Sequence, residues 1–177
     1  RRAHGPKVDK DWSQKLNSRQ RRAARDSAIA ASCDSVTVSS RGHRFEEGLR
    51  FPIIIDDYVE SRTDSDEKYE IENLPYQNST RKFVAMMEGL GLSADLDRSR
   101  KGRTIRAGKG KMRGRKYRTP KGLLLVVAQK NGLDRAARNI PGIDVVTAKD
   151  LCAEDLAPGG DLGRLTVWTK SAVEALE

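Results

Sequence analysis

The 177-residue sequence is 37% hydrophobic, only 5% aromatic and carries a net charge of +9, so it can build one domain with an aliphatic core and calls for a polyanionic partner. Its longest apolar run, Leu123–Ala128, is far short of the roughly 20 residues of a spanning helix, and neither a signal-peptide pattern nor a lipidation motif is found. Cys33 and Cys152 are isolated, which excludes a disulfide scaffold and leads us to expect a reducing, cytoplasmic setting.

Residues 1–16 read as the returning end of an extended basic arm with Arg1, Arg2, His4, Lys7, Lys10, Lys15 and one aromatic, Trp12. The chain opens inside this basic phrase, so it is expected to be part of a longer protein. Residues 17–177 are expected to form a single domain. A helix is predicted over Ser18–Ser32, with Asn17 as cap and Gln20 at the third position. At 100° per residue Leu16, Ala23, Ala28 and Ala31 fall on one stripe, and Arg19, Arg21, Arg22 and Arg25 on the other side. Val36–Val38 and a polar turn, Ser39–Arg44, follow. Phe51–Ile55 reads as a buried strand, ended by Asp56-Asp57. Residues 61–78 are acidic and irregular, as in a surface insertion. A second helix starts at Ser79 or Thr80, carries Phe83, Met87 and Leu90 on one face, and ends at Gly89 and Gly91.

Residues 98–121 hold twelve Lys or Arg and no Asp or Glu. The other 22 basic and 25 acidic residues leave the rest of the chain at −3. With four glycines and no apolar periodicity the stretch reads as a long basic loop. Beyond it strands and helices alternate: strand Leu123–Val127, helix Leu133–Asn139, strand Ile143–Thr147, helix Lys149–Ala153 capped by Thr147, turn Pro158–Gly160, strand Leu165–Trp168, and helix Lys170–Leu176 capped by Thr169. Uniformly apolar strands in alternation with helices predict an α/β fold, a Rossmann-like parallel sheet of about four strands covered on both faces.

The motifs of nucleotide chemistry fail. Gly102-Arg-Thr-Ile-Arg-Ala-Gly108-Lys109-Gly110 has five residues between its glycines and no Ser or Thr after the Lys, unlike a phosphate-binding loop. Arg113 stands where a dinucleotide fingerprint needs its third glycine. His4 and His43 have no metal or triad spacing, and His43 reads as a surface or RNA-facing residue. Cys33 and Cys152 read as buried small apolar groups, and Asp56-Asp57 as structural. The basic loop is different. Its cations have no counter-charge, seven of the twelve are Arg, which suits phosphate forks and stacking, and its glycines let a sugar-phosphate chain approach. Tyr117 offers a stacking face.

Several phrases resemble one family. Arg106-Ala-Gly-Lys-Gly-Lys-Met-Arg-Gly-Arg115, Arg138-Asn-Ile-Pro-Gly-Ile143, Leu156-Ala-Pro-Gly-Gly160, Gly163-Arg-Leu-Thr-Val-Trp-Thr169 with Ser171-Ala172, and Arg41-Gly-His43 after an alanine-rich helix are similar to universal large-subunit ribosomal protein four in its archaeal and eukaryotic form. The resemblance implies a non-catalytic domain without cofactor or metal that binds large-subunit rRNA, supports subunit assembly, and carries a long loop to the peptide exit tunnel. Arg1–Lys7 would be that loop's returning end. It implies rRNA and neighbouring large-subunit proteins as partners, in the cytoplasm, with no membrane contact and no homo-oligomer. The insertion at 61–78 departs from the family pattern. The end at Glu177, without a long basic tail, favours an archaeal-type or trimmed eukaryotic member.

The expected RNA contacts are Arg103, Arg106, Lys109, Lys111, Arg113, Arg115, Lys116 and Arg118 in the loop. Arg1, Arg2, Lys7, Lys10, Trp12, Lys15, Arg19 and Arg22 form a second area. Arg41, His43 and Arg44 form a third, and Gly159, Gly160 and Arg164 are added, with a tight turn before a strand as their other reading. The competing function is an RNA-processing or RNA-modifying enzyme on an α/β fold. It would need a cofactor loop or acid–base cluster at the strand ends, and the sequence shows neither.

Overall fold

The computed structural model describes residues 3–56, 58–60, 68–70 and 79–176. Four strands, β1 (Ile53–Ile55), β6 (Leu124–Val127), β7 (Asp144–Thr147) and β8 (Thr166–Thr169), form one sheet in the order β1-β8-β6-β7. Every pairing in it is parallel. These are the four apolar runs read from the sequence, and the prediction of an α/β parallel sheet holds.

Alternation along the central strand β6 divides the core. Leu123, Leu125 and Val127 face one cluster with Phe83 and Met87 of α3 (Ser79–Gly89) and Leu133, Ala136 and Ala137 of α5 (Gly132–Arg138). Leu124 and Val126 face the other, with Ala28 of α1 (Ser18–Ser32), Leu156 of α6 (Ala153–Leu156) and Ala172 of α7 (Lys170–Glu174). A strand buried on both faces must be apolar at successive positions, which is why β6 reads Leu-Leu-Val-Val. Thr169 caps α7 as expected, its hydroxyl accepting from the Ala172 N–H at 3.3 Å.

Four readings need correction. Helix α1 has the predicted bounds, but Leu16 and Ala23 are exposed. Its buried side is Ala28 and Ser32, with Arg25 and Ile29 beside them, because only the C-terminal half packs on the domain. Asn17 stands at the cap position but makes no side-chain bond. A helix, α2 (Ser35–Ser40), covers Val36–Val38, started by Asp34, whose carboxylate accepts from the N–H groups of Val36 and Thr37. The helix expected over Lys149–Ala153 begins at Ala153 instead. Thr147 donates its hydroxyl to Asp150, and Asp155 closes a box on Cys152, so the cap moved.

The acidic insertion falls mostly outside the described residues. Of it the structure describes β3 (Lys68–Glu70), which pairs antiparallel with β2 (Tyr58–Glu60), just before the insertion. No helix among the described residues is long and apolar enough to cross a membrane.

Candidate nucleic-acid interface

The basic stretch is not a featureless loop. Arg98, Arg100 and Lys101 lie in the last turn of a helix, α4 (Ser93–Lys101). Its buried residues are Asp95 and Ser99, so an apolar stripe could not have revealed it. The spacing of Asp95 to Arg98 and of Asp97 to Lys101, both ion pairs across one turn, was the available signal. After Gly102 the chain forms a β-hairpin. Thr104–Ile105 (β4) pairs antiparallel with Tyr117–Arg118 (β5), and a 3-10 turn occupies Lys109–Met112. The hairpin leads directly into β6, so it leaves the sheet at the N-terminal edge of the strands. Cofactors of doubly wound sheets sit at the opposite edge.

All eight expected contacts in the hairpin, Arg103, Arg106, Lys109, Lys111, Arg113, Arg115, Lys116 and Arg118, are exposed. None has a carboxylate partner among the described residues. Arg106 donates through Nε to the Tyr117 carbonyl at 3.1 Å, and its N–H bonds the Lys116 carbonyl, so it stiffens the hairpin. Gly108 and Gly114 take φ of +74° and +77°, and a Cβ on either or on Gly110 would meet nothing within 4 Å. The turn is therefore open to a backbone-sized ligand. Tyr117 is a poorer stacking surface than its type implies, because the Arg103 guanidinium lies 4.2 Å and the Lys116 ammonium 5.5 Å from its ring centroid.

In the arm, Lys7, Lys10, Trp12 and Lys15 are exposed, as are Arg19 and Arg22 on α1. The Lys10 ammonium stands 4.7 Å from the Trp12 ring centroid. Arg1 and Arg2 lie outside the described residues. Arg44 is exposed, and so are Gly159 and Gly160, with φ of +81° and +86° and open space where a Cβ would be. The tight-turn reading fits these two glycines.

Three expected contacts are spent inside the protein. Arg164 is 1% exposed. Its Nε donates to the Gly122 carbonyl at 2.9 Å, Nη1 to the Asp155 carbonyl at 2.7 Å and Nη2 to Asp144 at 2.6 Å. His43 is buried, with Nδ1 2.9 Å from Asp95 Oδ1. Arg41 donates to the carbonyls of Pro158, Asp161 and Leu162 and so pins the loop that carries the two glycines. Burial keeps Arg164 and His43 from phosphate, and the donors of Arg41 that hold the three carbonyls are committed inside the protein. Neither cysteine is fully buried, which corrects that expectation. Cys152 is exposed, and burial first, then Asp155, pushes its thiol up, away from a reactive thiolate.

Two carboxylates hold this edge together. Asp95 Oδ1 accepts from His43, from Arg98 Nε at 2.8 Å and from the Arg44 N–H at 3.3 Å. Asp144 Oδ2 accepts from Lys121 at 2.7 Å and from Arg164. Burial raises both pKa values, and the bonds from His43 and Arg98, or from Lys121 and Arg164, outweigh it, so both end below the ordinary value of 3.8. A depressed carboxylate contributes stability that is present above the unfolded pKa and lost as pH falls through the folded one. Thermal stability should therefore fall as pH drops below about 4, and Asp144→Asn should flatten that fall. Melting curves between about pH 2.5 and 6 check it; a variant with the wild-type pH dependence would remove Asp144 from the account.

The fold and the site define a class, parallel α/β domains that present an acid-free cationic hairpin from the strand N-terminal edge. The chain belongs to the Ribosomal protein L4/L1 family, whose model matches residues 1–177. It is 44% identical to the large ribosomal subunit protein uL4 of Halobacterium salinarum (strain ATCC 29341 / DSM 671 / R1) over 98% of this chain and 64% of that protein. It is 47% identical to the uL4 of Methanocaldococcus jannaschii over 100% of this chain and 64% of the relative, and 41% identical to that of Thermoplasma acidophilum over 99% and 62%. The chain thus spans just under two thirds of the length of these curated relatives.

Proposed function

We propose that this chain belongs to a structural, non-catalytic component of the large ribosomal subunit and supplies its binding to large-subunit rRNA. The observation that carries this is the hairpin, with eight exposed cations and no acid between Arg103 and Arg118. Such a group is self-repelling in water and is stabilised by a phosphate backbone, whose neutralisation releases counterions. Arginine forks fix register on phosphates, and open glycines admit the backbone. The arm and the N-terminal half of α1 form a second contact area, with Arg1, Arg2, Lys7, Lys10, Trp12, Lys15, Arg19 and Arg22. Arg44, Gly159 and Gly160 add a minor one.

The reading extends to roles in subunit assembly and at the exit tunnel, a cytoplasmic ribosomal location and neighbouring large-subunit proteins as partners, with the protein present as one copy and not as a homo-oligomer; the family match supports its ribosomal part. Fractionation tests the reading. Tagged chain expressed in archaeal cells should sediment with large subunits and be released progressively as salt is raised. Chain that stays at the top of the gradient at physiological salt would overturn it.

A further inference from the structure

We propose that Asp95, together with His43 and Arg98, is a positioning group that aims the cationic hairpin: it acts on RNA through the hairpin and contacts no RNA itself. This inference rests on the reading above. Among the described residues, the hydrogen bonds of 104–118 all close within the hairpin. No hydrogen bond or ion pair among the described residues ties its length to the domain, so its direction is set at its root.

The root is built for that. Arg98 bridges the two ends of the hairpin: its Nε holds Asp95, on the helix that enters, while its Nη2 donates to the Lys121 carbonyl at 3.0 Å, on the segment that leaves. His43 and Asp95 side chains are each 1% exposed, so the carboxylate is a fixed point. His43 Nδ1 lies 2.9 Å from it and 3.2 Å from Arg98 Nη2, and the Arg44 N–H donates to the same oxygen. The two ends also touch directly. A Cβ on Gly102 would lie 2.5 Å from Pro120 Cγ, and one on Gly122 would lie 2.5 Å from Ser99 Oγ. On the leaving side Lys121 is held by Asp144, which Arg164 fixes in turn.

The hairpin is a lever. Its arms reach roughly 20 Å at about 3.3 Å per residue, so a rotation of about 10° at the root moves the tip by roughly 3.5 Å, more than a hydrogen bond tolerates. Arg98 stands in the acid-free stretch and by type is one more phosphate contact. Its geometry assigns it the opposite role, an internal fork.

Two variants separate these roles. Arg98→Lys keeps the charge and loses the fork; Arg98→Gln loses both. Affinity of the full chain for large-subunit rRNA purified from an archaeon, with tRNA as competitor, is measured across a salt series, at temperatures below each variant's melting point. Positioning predicts about a tenfold loss for both variants with the wild-type slope of log K against log salt, since no phosphate contact is removed. It also predicts that Arg98→Lys adds little in a background where Arg106, Lys109, Arg113 and Arg115 are Ala, because the aimed charges are gone. A merely structural role would cost the same in both backgrounds. An Arg98→Lys variant with wild-type affinity, or an Arg98→Gln slope reduced by about 0.7–0.9, makes Arg98 a direct contact and overturns the proposal. Wild-type chain that shows no preference over tRNA overturns the RNA reading, and this inference with it.

Discussion

Replacing Arg106, Lys109, Arg113 and Arg115 together by Ala is expected to weaken binding to large-subunit rRNA by about 10²–10³-fold at physiological salt, with the melting temperature held within about 2 °C. All four side chains are exposed, and exposed substitutions away from structural features change stability by about 0.5 kcal/mol or less. Arg106 makes one internal bond, from Nε to the Tyr117 carbonyl, which the backbone pairing of the hairpin survives. Each phosphate neutralised contributes a slope of about 0.7–0.9 in log K against log salt, so losing four should reduce the slope by about 3. Filter binding over a salt series measures both quantities. Unchanged affinity with an unchanged slope would remove the hairpin from the interface and leave the arm and α1 as the main contact.

Arg164→Ala is expected to act in the opposite way, with a large loss of stability and no direct loss of an RNA contact. The substitution leaves the carbonyls of Gly122 and Asp155 without their donor and Asp144 with Lys121 alone. Removing one partner of a buried charge pair costs about 3–5 kcal/mol. Asp144 is partly exposed, which brings the expected loss to about 2–4 kcal/mol. For a chain of this size that is a fall in melting temperature of roughly 5–15 °C. Calorimetry measures it. A variant that melts within a degree or two of wild type but binds RNA more weakly would restore Arg164 to the contact surface. Arg164→Lys should recover little, since an ammonium cannot reach three acceptors set out in the plane of a guanidinium.

The two variants divide a set of basic residues that look alike in sequence. Arg41, His43 and Arg164 differ from the hairpin cations only in their surroundings. The acid that claims His43 lies 52 residues away, the carbonyl that Arg164 Nε holds 42 residues away, and the Asp161 carbonyl taken by Arg41 120 residues away. Local sequence carries no trace of such pairings. The hairpin cations were legible because the reason for their exposure is local: no acid within the stretch can neutralise them, and glycines replace the apolar residues that would bury them.

The same division runs through the fold. The four strands of the sheet were readable as short, continuous apolar runs, but only β6 and β8 are covered on both faces; β1, read as a buried strand, leaves Ile54 51% exposed at the sheet edge. Helix α1 was readable from Asn17 at its start, though that side chain makes no bond, and α3 from Phe83 and Met87 on one face. Helix α4 was not, because the side it buries is Asp95 and Ser99, and polar residues leave no hydrophobic period. Helix α2 was hidden by Val36, Thr37 and Val38, β-branched residues that Asp34 nonetheless starts as a helix. Sequence alone determined the class of the domain, the order of its strands along the chain and the place of its acid-free basic stretch, because these follow from composition and short-range pattern. Only the tertiary structure decided which cations face outward and which are consumed at the root of the hairpin, because long-range partners decide whether a buried charge is satisfied. The basic stretch is therefore two things: a root, where Arg98 and Lys121 bind the protein to itself, and a hairpin whose eight cations stay exposed.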